Sequence, residues 1–305
     1  MSRSVLAAMV AACFLAASCA TTPAAKVVEG PPQPALWAVR DADSTLYLYG
    51  TIHMRKQGKP WGGPIAEAAL MEADEVWTEL EIDPKSEAAA QALVARYGLD
   101  PARKLSEQLK PERAQQMKAL AALIGLPEPA LESMKPWLAS LTLTVVPMLQ
   151  AGYDPQAGVD RAVDRVAESA GKRMRWFESA EEQIQFLAGF DDALQIQMLE
   201  DTLDEVQRGP ALMTAMETAW ETGDDVTLAR DMVAPMQTDY PALYDVILKQ
   251  RNAAWVTVLA RELEGSGVDF VAVGAAHLVG PDSVQAMLEA RGFTVERVTP
   301  PAPKS

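Results

Sequence analysis

The chain of 305 residues has two histidines, His53 and His277, and each closes a Gly-x-x-His. The first is Gly50-Thr51-Ile52-His53, after Leu46-Tyr47-Leu48-Tyr49; the second is Gly274-Ala275-Ala276-His277, after Val271-Ala272-Val273. In both, an apolar run rich in β-formers meets a glycine that lets the backbone turn sharply without a Cβ penalty. An imidazole follows three residues later. Neutral imidazole is the commonest metal ligand and the usual general base near neutral pH. Two imidazoles at two strand ends point to a single site. Carboxylates are their natural complement. Glu79 and Glu81 stand in the alternating run 75–83, where a period of two puts both on one face of a strand. A glutamate buried on a central parallel strand must be paired or metal-bound, and Glu79 lies deeper in the run. Arg251 and Asn252 fall in an apolar helical run ending at Trp255. A guanidinium there needs a cleft carboxylate or a substrate oxyanion as partner.

The elements that must position these groups are legible in outline. Residues 35–40 and 45–49 read as a hairpin around Asp41-Ala42-Asp43-Ser44. A helix over 64–73, opened by Pro64, and a strand over 75–83 then complete a βαβ unit. From about 86 to 265 the chain is helical, apart from one short strand over 172–177. A strand over 268–273, a helix over 281–290 and a strand over 293–298 make a second βαβ unit. The expected fold is α/β. Its central sheet is built from two GxxH-bearing βαβ units with a long helical insertion between them, in a domain spanning 35–300. Ligands of such sheets lie beyond the carboxyl ends of the strands, where both turns fall.

Composition narrows the function further. Asp and Glu number 42 against 27 Lys and Arg, a formal charge of −15, which argues against nucleic acid and anionic lipid as partners. Residues 1–18 read as a signal peptide: Arg3 is followed by an apolar stretch too short to span a bilayer, and Ala16-Ala17-Ser18-Cys19 resembles a bacterial lipobox. Cys19 is then the lipid attachment site, and 19–34 is a flexible tether. The chain is expected to be exported, either lipid-anchored to the outer membrane or soluble in the periplasm. The only other cysteine, Cys13, lies in the signal, so disulfides, zinc fingers and Cys nucleophiles are excluded. No Gly-x-Ser-x-Gly, Walker loop or dinucleotide fingerprint occurs. Asp160 in Asp160-Arg161-Ala162-Val163-Asp164-Arg165 reads as part of a solvated helix face, Glu178 and its acidic neighbours as a helix start, and Trp137, Trp220 and Trp255 as core.

Gly50-Thr51-Ile52-His53, Glu79-Leu80-Glu81, Gly158-Val159-Asp160, Glu178-Ser179-Ala180-Glu181-Glu182-Gln183, Arg251-Asn252 with Trp255, and Gly274-Ala275-Ala276-His277-Leu278 together resemble, in this order, the TraB/PrgY/GumN family. The resemblance covers nearly all of the chain after residue 35. That family includes the TIKI proteins, metal-dependent proteases with two GxxH motifs. It is distantly similar in fold to erythromycin esterases and to the ChaN haem-binding proteins. The resemblance implies a divalent metal (Mn, Co or Zn) held by His53, Glu79 and His277, with Arg251 and Asn252 nearby and Glu81 or Glu178 as general base. The expected activity is hydrolysis of a peptide or other small acyl substrate. The alternatives are a metal-free hydrolase like the erythromycin esterases, or a non-catalytic peptide- or haem-binding module.

Overall fold

The two apolar runs that precede the Gly-x-x-His turns lie side by side in the computed structural model, which describes residues 32–206 and 209–299. Six strands form one mixed sheet: β1 (Leu36–Arg40), β2 (Ser44–Thr51), β3 (Glu75–Thr78), β4 (Arg173–Trp176), β5 (Gly267–Gly274) and β6 (Val295–Arg297), in the order β4-β3-β5-β2-β1-β6. Strands β4, β3, β5 and β2 are mutually parallel. Strand β1 runs antiparallel to both of its neighbours. The expected hairpin is present, and Asp41 closes it by accepting the backbone N–H groups of Asp43 and Ser44. The signal peptide, Cys19, most of the tether and the last six residues lie outside the described residues.

Burial on both faces explains why β2 and β5 read as continuous apolar runs. Leu46, Leu48, Val271 and Val273 join one core with Trp255, Val256 and Leu259 of helix α4 (Gln250–Glu262) and Val284 and Leu288 of helix α5 (Val284–Ala290). On the alternate residues, the Tyr49 ring stands 5.5 Å from Phe270 and 6.3 Å from Trp220. Helix α1 (Pro64–Glu72) links β2 to β3, two parallel strands that are not neighbours because β5 lies between them. Helix α2 (Val159–Ser169) buries Val159, Val163 and Ala167, a stripe at four-residue spacing.

Several expected boundaries move. The strand over 75–83 ends at Thr78, whose hydroxyl donates to the carbonyl of Leu80 as the chain leaves the sheet. Glu79 and Glu81 therefore do not share a strand face. The helix over 281–290 starts at Val284, because the Ser283 hydroxyl caps it by accepting the N–H of Ala286.

The sheet strands, residues 156–177 and the chain from 214 onward form one compact unit; residues 82–155 and 178–213 form another. The second unit is helical. Its helix Pro136–Gln150 buries Trp137 and packs on Asp192–Glu205, with the Ser140 and Thr202 hydroxyls 2.7 Å apart. Its helix Ala180–Ala188 starts with a reciprocal Ser179–Glu182 cap. Among the described residues no helix is long and apolar enough to cross a membrane.

The loop after the first Gly-x-x-His is pinned by charge. Arg55, 1 % exposed, donates to Glu217 (3.1 Å), Glu221 (2.8 Å) and the Pro60 carbonyl (2.7 Å). Its guanidinium lies 4.9 Å over the Trp220 ring, and Trp220 Nε1 donates to the Gly50 carbonyl at 2.7 Å. Glu217, Trp220 and Glu221 belong to helix α3 (Gly209–Glu221), which thereby holds the strand end that presents His53.

Candidate active site

The second Gly-x-x-His glycine is where the predicted groups meet. A Cβ at Gly274 would stand 3.1 Å from Glu79 Oε1, 3.5 Å from His53 Nε2 and 3.6 Å from His277 Cδ2. Gly274 has φ −50° and Gly50 has no positive φ either, so neither glycine is needed for an unusual backbone. The reason is close approach: at Gly50 a Cβ would come within 3.1 Å of the Ala275 Cα. This corrects the expectation of a sharp glycine turn.

His277 follows Gly274 in a short 3-10 turn and is 1 % exposed. Its Nδ1 lies 2.6 Å from Asn252 Oδ1. An amide oxygen only accepts, so Nδ1 carries the proton and Nε2 bears a lone pair. Arg251 Nη1 donates to that lone pair at 3.1 Å, and Nη2 donates to Glu79 Oε2 at 2.6 Å. The other Glu79 oxygen accepts the Gly274 N–H at 2.7 Å. Asn252 Nδ2 is held by the Asp282 carbonyl at 2.7 Å. Arg251 and Asn252 sit at the start of α4, immediately after a π-helical turn, Asp245–Lys249, whose Ile247 carbonyl also accepts from Arg251. Trp255, one turn further, lies tilted with its ring 4.3 Å from the His277 ring and 4.9 Å from the Arg251 guanidinium.

His53 is held from behind by Gly158-Val159-Asp160, which composition reads as a solvated helix face and only the family resemblance singles out. Val159 N–H donates to the Ile52 carbonyl at 2.8 Å, and Gly158 packs on the His53 carbonyl so closely that a Cβ would be 2.5 Å away. Asp160 Oδ1 then faces His53 Nδ1 at 3.5 Å. Asp160 is thus part of the site rather than of a solvated face. The signal available was its place in Gly158-Val159-Asp160, one of the motifs of the family resemblance. Asp164, one turn on, is also buried, and burial first, then the Asp160 charge, push its carboxyl up to about 7.

The electrostatics split the two histidines. Burial, reinforced by the Arg251 charge, pushes His277 down to about 3, so it is neutral at ordinary pH. Burial also opposes protonation of His53, but the Asp160 carboxylate, with Glu79 behind it, outweighs that and raises its pKa. Burial disfavours ionisation of Glu79; the charges of Arg251 and the histidines and the Gly274 N–H overcome this and hold its carboxyl far below the usual range. Of the remaining expected residues, Glu81 is exposed beyond β3. Glu178 belongs to the helical unit, where it accepts from Gln183 Nε2 at 3.0 Å.

Two imidazoles with their Nδ1 atoms facing oxygens and a carboxylate alongside are a donor set suited to a divalent cation. Their arrangement is not. The Arg251 guanidinium lies on both His277 Nε2 and Glu79 Oε2, the atoms a cation would need. Among the described residues no group of three or more His, Cys, Asp or Glu side chains is placed to hold a metal ion.

A family model, described as TraB/PrgY/gumN family, matches residues 35–297. Two curated relatives are 27% identical over 263 residues, 84% of this chain and 92% of theirs: the uncharacterized protein YbaP of Escherichia coli (strain K12) and that of Shigella flexneri. No solved structure matches the chain significantly.

The two close approaches have unequal consequences for stability. Gly158→Ala drives a methyl into the backbone oxygen of His53 and is expected to cost about 1–3 kcal/mol in urea unfolding. Gly274→Ala meets only side-chain atoms at longer range and is expected to cost less. A Gly158→Ala protein as stable as the parent contradicts this docking.

Proposed function

Because the chain belongs to the TraB/PrgY/gumN family, we propose that it is a hydrolase of peptide or other acyl bonds in which His53 activates water without a metal. The observation that supports this reading over others is the guanidinium of Arg251, seated between His277 Nε2 and Glu79 Oε2. The two Gly-x-x-His turns act as halves of one site, each contributed by a strand–turn–helix unit.

In this reading neutral His53 takes a proton from water through Nε2 as the water oxygen attacks the acyl carbon. Asp160 steadies the imidazolium that forms. The carbonyl oxygen gains negative charge, and Arg251 supplies the positive charge that stabilises it. His53 returns the proton to the leaving group as the scissile bond breaks. Glu79 anchors Arg251 and tempers its charge. His277, kept neutral, accepts a hydrogen bond from Arg251 and fixes its orientation through Asn252. The expected base role of Glu81 or Glu178 passes to His53, whose Nε2 lies against the cluster. A second reading, favoured by the oxygen partners of both Nδ1 atoms, is that His53 and His277 take a divalent cation; it requires Arg251 to give up its contacts.

Export with lipid attachment at Cys19 belongs to the same proposal, and a Cys19→Ser protein that still partitions with membranes counts against it. The function is tested on protein purified without a histidine tag, assayed on 4-nitrophenyl acetate and labelled casein. His53→Ala and Arg251→Lys are each expected to lose about 100-fold or more in kcat/KM. Chelators are expected to leave the parent unaffected. A stoichiometric divalent metal, lost in both His53→Ala and His277→Ala, replaces this reading with the second. Ligand binding with no turnover replaces both with a binding module.

A further inference from the structure

A buried hydroxyl stands beside the site with no part in the chemistry so far. Thr51, the last residue of β2, is 2 % exposed, and its Oγ1 has no hydrogen-bond partner among the described residues. Such a hydroxyl costs about 1–3 kcal/mol when nothing satisfies it. Valine has the same shape and an equal preference for strands without that cost. The hydroxyl therefore calls for a partner that is not a protein group.

Its placement says which. Thr51 and Gly274 are Cα partners in the parallel register of β2 and β5. Side chains of register partners leave a sheet on the same face, so Thr51 projects on the face where a Gly274 side chain would stand. There Glu79 Oε1, His53 Nε2 and His277 Cδ2 gather within 3.1–3.6 Å of that point. Adjacent strands are about 4.8 Å apart. The register therefore sets the Thr51 side chain about one strand spacing from the point where these groups gather.

We propose that Thr51 Oγ holds the water molecule that His53 deprotonates. This rests on the hydrolase reading above and adds a residue to it. One O–H of the water points at His53 Nε2, and Thr51 Oγ accepts the other. The water oxygen bonds to the acyl carbon as its proton passes to Nε2, and the proton then leaves with the departing group. Thr51 keeps its own proton throughout and forms no bond to substrate.

The test pairs Thr51→Val, which removes only the hydroxyl, with Thr51→Ser, which removes only the methyl. If Thr51 is merely a strand residue, Thr51→Val is neutral or more stable and equally active, and Thr51→Ser is the weaker protein. The proposal expects the reverse order in kcat on 4-nitrophenyl acetate. Thr51→Val should fall about tenfold or more with KM little changed, while Thr51→Ser stays within about threefold of the parent. Circular dichroism and urea unfolding establish that both variants fold. A high-resolution crystal structure of the parent should show an ordered water bonded to Thr51 Oγ1 and within reach of His53 Nε2, lost in Thr51→Val. Unchanged kcat in Thr51→Val, or no water at that oxygen, overturns the proposal while the hydrolase reading stands. No turnover by the parent overturns the hydrolase reading itself.

Discussion

A guanidinium that is only 4% exposed has to be neutralised where it lies, and in this protein that constraint organises the site. Arg251 meets Glu79 at 2.6 Å, and the same carboxylate is tied to the Gly274 N–H at the end of β5. The ion pair is thus anchored to the sheet rather than left to two flexible side chains. Removing one partner from such a pair costs about 3–5 kcal/mol, because the other remains buried and uncompensated. The second guanidinium arm leaves His277 no room to be a cation. The nearby positive charge and the burial both disfavour its protonation, so the histidine becomes an acceptor.

Around that pair the scaffold is built for close approach. Parallel pairing sets Thr51 opposite Gly274, so the two Gly-x-x-His turns leave neighbouring strands one residue apart in register. Bare glycines at the turns let side chains and backbone pack directly against the strand ends. The Arg55–Glu217–Glu221 cluster and the Trp220–Gly50 hydrogen bond fix one turn. Asn252 and the Trp255 ring fix the other. Asn252 thereby fixes the direction of His277 Nε2 through a hydrogen bond at Nδ1, and the Asp160 carboxylate faces His53 Nδ1 at 3.5 Å.

Much of this was legible in the residues. Scarcity made the two histidines stand out, and their β-rich flanks placed them at strand ends. Burial cost flagged Arg251 as a group that needs a partner. The sequence could not show that Glu79 lies past the end of β3, since alternation continues through 75–83 while hydrogen bonding stops at Thr78. Nor could it show Asp160 behind His53. An Asp-x-x-x-Asp helix segment among arginines looks solvated until a second chain segment docks on it, and that docking depends on a backbone contact at Gly158 that leaves little trace in composition. The order of strands was likewise hidden, because β5 enters between β2 and β3 from more than 180 residues away.

With only two histidines, nitrogen-15 NMR of the imidazoles reads the central contact directly. The Arg251–His277 geometry requires one ring to be neutral, protonated at Nδ1 and unchanged from pH 5 to 8, because burial and the Arg251 charge push its pKa down to about 3. The other ring, His53, should be charged at low pH and lose its proton only above the ordinary histidine value, as Asp160 dictates. A His277 ring that titrates at about 6.5, or that carries its neutral proton on Nε2, contradicts the account.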